Sequence, residues 1–114
     1  MIKRYKSSNR MSQAVVHNNT LYLSGQVCAE GSDIAEQTTC SLDKVEALLN
    51  EFGSDKEHIL SATIYIKDMA LFTDMNEIWD NWLEEEFKPV RACVEAQMAR
   101  ETLLFEVSII AALK

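Results

Sequence analysis

The segment that most constrains the fold is the last one, LLFEVSIIAAL (103–113). Read as a strand, its side chains alternate between two faces. Leu103, Phe105, Val107, Ile109 and Ala111 fall on one side, and Leu104, Ser108, Ile110 and Ala112 on the other with Glu106. Both faces are apolar, so both require a cover. The rest of the chain offers few. Ile34, Thr38, Leu42, Val45, Leu48, Leu49 and Phe52 predict an amphipathic helix over 33–52, opened by a capping box of Asp33 with Glu36 and stopped by Gly53. Leu71, Phe72, Met75, Ile78, Trp79, Trp82 and Leu83 predict a second helix over 69–86, and Pro89 forbids its continuation. Two helices cover one face of one sheet. The second face is therefore expected to be covered by another subunit.

The remaining strands follow from alternation and turn chemistry. Residues 2–6 read as a short edge strand, and 12–27 as a hairpin turning at Asn18–Asn19, since Asn tolerates positive φ. In EHILSATIYIKD (57–68), Leu60, Ala62, Ile64 and Ile66 are expected on one face, and Ile59, Ser61, Thr63 and Tyr65 on the other. Strands over about 90–98 and 103–113 close the chain and are expected to pair as an antiparallel hairpin. The expected class is α+β: one mixed sheet of about five or six strands with both helices on one face. At 114 residues the chain fits one domain, 1–114.

Charge and cysteine usage narrow the function classes. Against 18 Asp+Glu stand 11 scattered Lys+Arg, for a net charge of -7, which disfavours nucleic-acid partners. Glu84, Glu85 and Glu86 read as a solvated helix end. The N-terminus is polar and basic, unlike a signal peptide, and no run approaches a membrane span, so a soluble, intracellular, cytoplasmic protein with no membrane partner is expected. The three cysteines, Cys28, Cys40 and Cys93, are odd in number and widely spaced, and only His17 and His58 accompany them. That argues against a structural zinc site or a disulfide framework.

One further stretch carries chemistry. In KPVRACVEAQM (88–98), Ala92, Val94, Ala96 and Met98 make an ordinary core face, and Arg91, Cys93, Glu95 and Gln97 point the other way. An arginine cannot shed its charge and is costly to bury unpaired. If Ala92 and Val94 share the face of Leu103 and Phe105, then Arg91 and Cys93 share that of Leu104 and Glu106. Two readings stand open: an Arg91–Glu106 ion pair at a subunit contact, or a carboxylate clamp beside a carboxylate that activates water. Cys93 reads better as a small packing residue than as a nucleophile, because neither histidine has a reason to lie beside it. Ser24–Gly25 is either a strand-end turn or a close backbone approach to a ligand. Trp79 and Trp82 read as core or interface aromatics, one of which could wall a pocket.

The stretches LYLSGQV (21–27), DMALFTDMNEIWDNW (68–82), PVRACVE (89–95) and FEVSIIAAL (105–113) resemble, in order and spacing, the signatures of the Rid proteins. These are the YjgF-like reactive-intermediate deaminases, also labelled endoribonuclease L-PSP. The resemblance runs from about Ser12 to Leu113, and Arg-x-Cys-Val-Glu followed by Glu106 is its most specific part. It implies a chorismate-mutase-like α+β fold and a homotrimer with a site at each subunit interface. It implies hydrolysis of 2-imino acids to 2-keto acids and ammonia, without metal or organic cofactor. Arg91 would bind the substrate carboxylate and Glu106 would hold the attacking water. Cys93 would face the ligand through its backbone, and Ser24 and Gly25 would line the pocket. The sequence departs from the best-studied members at Met11, where they carry a tyrosine, at Ala92, where a serine is usual, and in the short segment 86–90. In these it resembles a divergent, YoaB-like branch. The missing tyrosine motivates an alternative: a trimer that binds a small carboxylate or keto acid through Arg91 without turnover. Ribonuclease action, ascribed to some relatives, is opposed by the acidic charge and the lack of a basic, aromatic-lined groove.

Overall fold

Three short strands, β1 (Lys3–Tyr5), β2 (Ala14–His17) and β3 (Thr20–Leu23), begin the chain as an antiparallel meander. The computed structural model, which describes residues 1–114, continues with α1 (Ile34–Glu51), β4 (Ile59–Ile66), α2 (Phe72–Trp82), β5 (Val90–Glu95) and β6 (Phe105–Ala112). All six strands form one mixed sheet in the order β1-β2-β3-β6-β4-β5, in which only β4 and β5 run parallel. The α+β class with two helices over one sheet is as expected. No helix is long and apolar enough to cross a membrane.

Local chemistry sets the boundaries. Asn18 and Asn19 both take positive φ (52° and 62°), the backbone that a two-residue hairpin turn demands. Asp33 caps α1 by accepting from the Glu36 N–H at 2.8 Å. The Glu36 carboxylate reaches back one residue further than a capping box would, to the N–H (2.9 Å) and hydroxyl (2.5 Å) of Ser32. At the far end Gly53 adopts φ 86° and the Ser54 N–H donates to the Leu49 carbonyl at 2.8 Å, closing a Schellman turn.

The core lies between the helices and one sheet face. Leu21, Ala62, Ile64, Ile66, Phe105, Val107, Ile109 and Ala111 meet Leu42, Val45, Leu49, Met75 and Trp79, all of them buried. One amide is buried with them. Gln37 donates to the Gly31 and Thr102 carbonyls (3.0 and 2.9 Å) and accepts from the Leu104 N–H (2.8 Å), so it ties α1 to the approach to β6 with its needs met.

Six expectations are corrected. The second helix is shorter than 69–86. Asp68 caps a 3₁₀ turn over Met69–Leu71, α2 follows, and the chain turns extended at Leu83, whose side chain is buried in the core. Glu84, Glu85 and Glu86 therefore do not end a helix; Glu85 and Glu86 open a separate 3₁₀ turn, Glu85–Phe87. In β4, Ile59 opposes Ala111 and Ser61 opposes Ile110, so Leu60 is an extra residue. This bulge shifts the phase: Ile59 is buried and Leu60 is exposed.

The last two strands do not form a hairpin. β4 lies between them, paired parallel to β5 and antiparallel to β6. The faces of β5 are consequently reversed. Ala62 opposes Arg91 and Ile64 opposes Cys93, so these two residues share the helix-covered face, while Val90 and Val94 are exposed on the open one. Finally, Cys28 and Cys40 are disulfide-bonded, with Cα atoms 5.9 Å apart. Spacing along the chain concealed this, because the segment after β3 folds back onto the second turn of α1. The second sheet face, with Tyr22, Val90 and Val94 exposed, has no cover within the chain.

Candidate functional site

The candidate residues divide between the two faces of the sheet. Arg91 opposes Ala62 on β4, and Ala62 opposes Ile109 on β6, so Arg91 belongs to the face of the core. Glu106 opposes Tyr65, one step out of phase, and belongs to the open face. The shared face expected for Arg91 and Glu106 is overturned. The parity that predicted it holds only for directly paired strands, and an intervening strand removes the constraint.

Around Arg91, α2 supplies the surroundings. Phe72, Asn76 and Trp79 stand at helical spacings of four and three, which brings them onto one stripe. Arg91 Nη1 donates to Asn76 Oδ1 at 2.8 Å. Its Cζ lies 5.9 Å from the Phe72 ring centroid and 5.5 Å from that of Trp79, within cation–π range. None of the chain's ion pairs includes Arg91. A half-buried guanidinium is thus held by a neutral amide and two rings, with no anion to balance it. Glu95, on the same face, accepts from the Met69 N–H at 2.8 Å and so ties β5 to the turn before α2.

Around Glu106, the segment after β3 is fixed against β6. Tyr22 opposes Ile110 but Gln26 opposes Val107, so an extra residue is taken up between them. Gln26 and Val107 exchange backbone hydrogen bonds at 2.8 and 3.1 Å. This sets the Gly25 backbone directly against the Glu106 carboxylate. The Ser24 hydroxyl donates to Gln13 Oε1 at 3.0 Å and accepts from Gln26 Nε2 at 3.2 Å. Ser24 and Gly25 therefore do adjoin Glu106, and they stand on the far side of the sheet from Arg91. Asn76, Gln13 and Gln26 were not singled out by sequence. Asn76 carries a usable signal, being one turn from Phe72 and Trp79 on the helix that precedes the strand of Arg91.

Cys93 packs at the edge of the core. Burial pushes its thiol up from the ordinary value, and the nearby Arg91 charge offsets this only in part. A protonated thiol with no histidine beside it is poorly suited to attack; His58 is engaged with Asp55 at 2.6 Å. The one cluster of three metal-ligating side chains, Cys28, Glu30 and Cys40, has its two sulfurs bonded to each other. The largest concavity, about 670 Å³ between Lys67 and residues 95–101, includes neither Arg91 nor Glu106.

With this geometry in hand, likeness to known proteins decides the family. The endoribonuclease L-PSP family model matches residues 1–113. The chain belongs to the endoribonuclease L-PSP family. Among its relatives, the RutC family protein YoaB of Escherichia coli (strain K12) is 39% identical over 111 residues, spanning 97% of each chain. A RutC family protein of Haemophilus ducreyi is 37% identical over 114 residues, spanning 99% of this chain and 97% of its own. Among solved structures, a YjgF family member from Neisseria meningitidis superposes with a TM-score of 0.97 at 40% identity, covering 100% of this chain and 96% of its own. The family is the one the sequence resembles, and the fold of this L-PSP chain is that of the YjgF proteins.

Proposed function

We propose that this protein hydrolyses reactive 2-imino acids to 2-keto acids and ammonia, at a site completed between subunits. The observation that carries the reading is the unbalanced Arg91 guanidinium. A cation cradled without a counter-charge is suited to receive an external carboxylate through a bidentate fork. Glu106 lies on the opposite face of the same sheet, so one chain cannot present both groups to a ligand of a few atoms. A second copy laid on the open face supplies the missing half and covers the exposed Tyr22, Val90 and Val94.

In the reaction, Arg91 holds the carboxylate and so fixes the adjacent imine carbon. Glu106 of the facing copy accepts a hydrogen bond from water and takes its proton as the oxygen bonds to that carbon. The C=N pair moves to nitrogen, to which Glu106 returns that proton. Glu106 then takes the carbinolamine hydroxyl proton and passes it to the amine, so that a C=O bond forms as the C–N bond breaks and ammonia leaves. An imine is already electrophilic, so positioning and a held water supply much of the acceleration.

Met11, exposed at 43%, favours a second reading, binding without turnover, because it offers no phenol to orient water. One experiment separates the two. An amino-acid oxidase generates 2-imino acids from a panel of amino acids, and semicarbazide traps what survives. Suppressed trapping by the wild type, lost in Arg91→Ala, supports the deaminase. Unchanged trapping across the panel, with saturable keto-acid binding, supports the binder.

A further inference from the structure

We propose that Asn76 is the residue that keeps Arg91 available to a ligand: it fixes the guanidinium through a neutral acceptor and so positions the cation without neutralising it. The inference rests on Arg91 being the carboxylate clamp proposed above and assigns the element that tunes it.

The geometry specifies the role. An arginine only donates, so the Asn76 atom 2.8 Å from Nη1 must be its carbonyl oxygen. A guanidinium carries five N–H groups, and Arg91 commits a single one, to Asn76. The rings of Phe72 and Trp79, with centroids 5.9 and 5.5 Å from Cζ, hold the cation without taking part in any of its hydrogen bonds to oxygen. The remaining edge stays free for a planar, two-oxygen partner. Acidic residues are plentiful in this chain, 18 against 11 basic, and yet the position that touches Arg91 is an amide. A carboxylate at position 76 would fit the same space and would satisfy the arginine internally. A ligand carboxylate would then have to displace it. Held by nothing, the long side chain would instead sample many rotamers and bind with an entropic loss.

The roles as mere packing residue and as charge-preserving positioner differ in the order of two variants. Asn76→Asp retains shape and strengthens the contact to Arg91; Asn76→Ala removes the contact and keeps Arg91 charged and free. Binding of pyruvate and of its uncharged analogue pyruvamide is measured by calorimetry for the wild type, Arg91→Ala, Asn76→Ala and Asn76→Asp, with thermal midpoints recorded for each. Wild type is expected to prefer pyruvate. Asn76→Asp is expected to melt no lower than wild type and to weaken pyruvate by about 30-fold or more, while Asn76→Ala weakens it by about 3–10-fold. With an imine substrate the loss in Asn76→Asp falls on KM rather than kcat. If Asn76→Asp binds pyruvate as well as wild type, or better than Asn76→Ala, Asn76 is a structural residue and the inference is wrong. If the wild type shows no preference for pyruvate over pyruvamide, or Arg91→Ala retains it, the clamp reading itself fails and the inference falls with it.

Discussion

Glu106 lies across the backbone of Gly25 with no room between them: a Cβ placed on Gly25 would come within 2.9 Å of Glu106 Cδ and closer still to Oε2. The extra residue between Tyr22 and Gln26 puts this glycine there, and the Gln26–Val107 hydrogen bonds hold it. Any side chain at position 25 must push the carboxylate aside. Gly25→Ala is therefore expected to lower kcat for imine hydrolysis by about 100-fold, the usual cost of an ångström-scale misplacement, while keyed binding of pyruvate through Arg91 survives. Steady-state kinetics beside calorimetry would check both halves.

The cysteines make a separate prediction. Of three cysteines, Cys93 alone is free. Alkylation of the denatured protein should label one thiol before reduction and three after. Because the Cys28–Cys40 bond closes a short loop of sequence separation 12, its reduction should cost about 2–3 kcal/mol of stability, read as a lower urea midpoint in dithiothreitol.

Burial raises the Cys93 thiol and Arg91 lowers it. A raised value means less thiolate at a given pH, so iodoacetamide should react with Cys93 in the native protein more slowly than with a free thiol, and its rate should climb only at more alkaline pH. Removing the cation in Arg91→Ala should raise the thiol further and slow alkylation at fixed pH. The pH profile of labelling, followed by mass spectrometry, tests the direction.

Gln37 satisfies two carbonyls and one N–H inside the protein. Gln37→Leu keeps the volume and removes all three hydrogen bonds, and is expected to destabilise by about 1–3 kcal/mol, visible in the denaturant midpoint.

Much of the fold was legible because its signals are local. Asn18–Asn19 gave the hairpin, Asp33 and Gly53 gave the ends of α1, and the two apolar faces of 103–113 gave a sheet with an uncovered side. What escaped was non-local. Alternation says that Arg91 and Ala92 face opposite ways but not which of them meets the helices, and the insertion of β4 between β5 and β6 leaves no mark in either strand's own sequence. The bulge at Leu60 looks like an ordinary strand residue. The cysteine pair, 12 residues apart, is brought together only once the β3–α1 segment doubles back onto the helix. For the candidate site, the sequence put Arg91 and Glu106 on one face, and their division between the two faces was not legible. Asn76 was hidden within a stripe otherwise read as core.

The central claim is that Arg91 and Glu106 act together only across two copies of the chain. Its most direct test is to co-express Arg91→Ala and Glu106→Ala subunits and assay the mixed oligomers. Each variant alone is expected to be inactive. Random mixing places an intact Arg91 opposite an intact Glu106 at about one site in four, so about a quarter of wild-type imine hydrolysis should return. Mixed oligomers as inactive as either parent would contradict the claim.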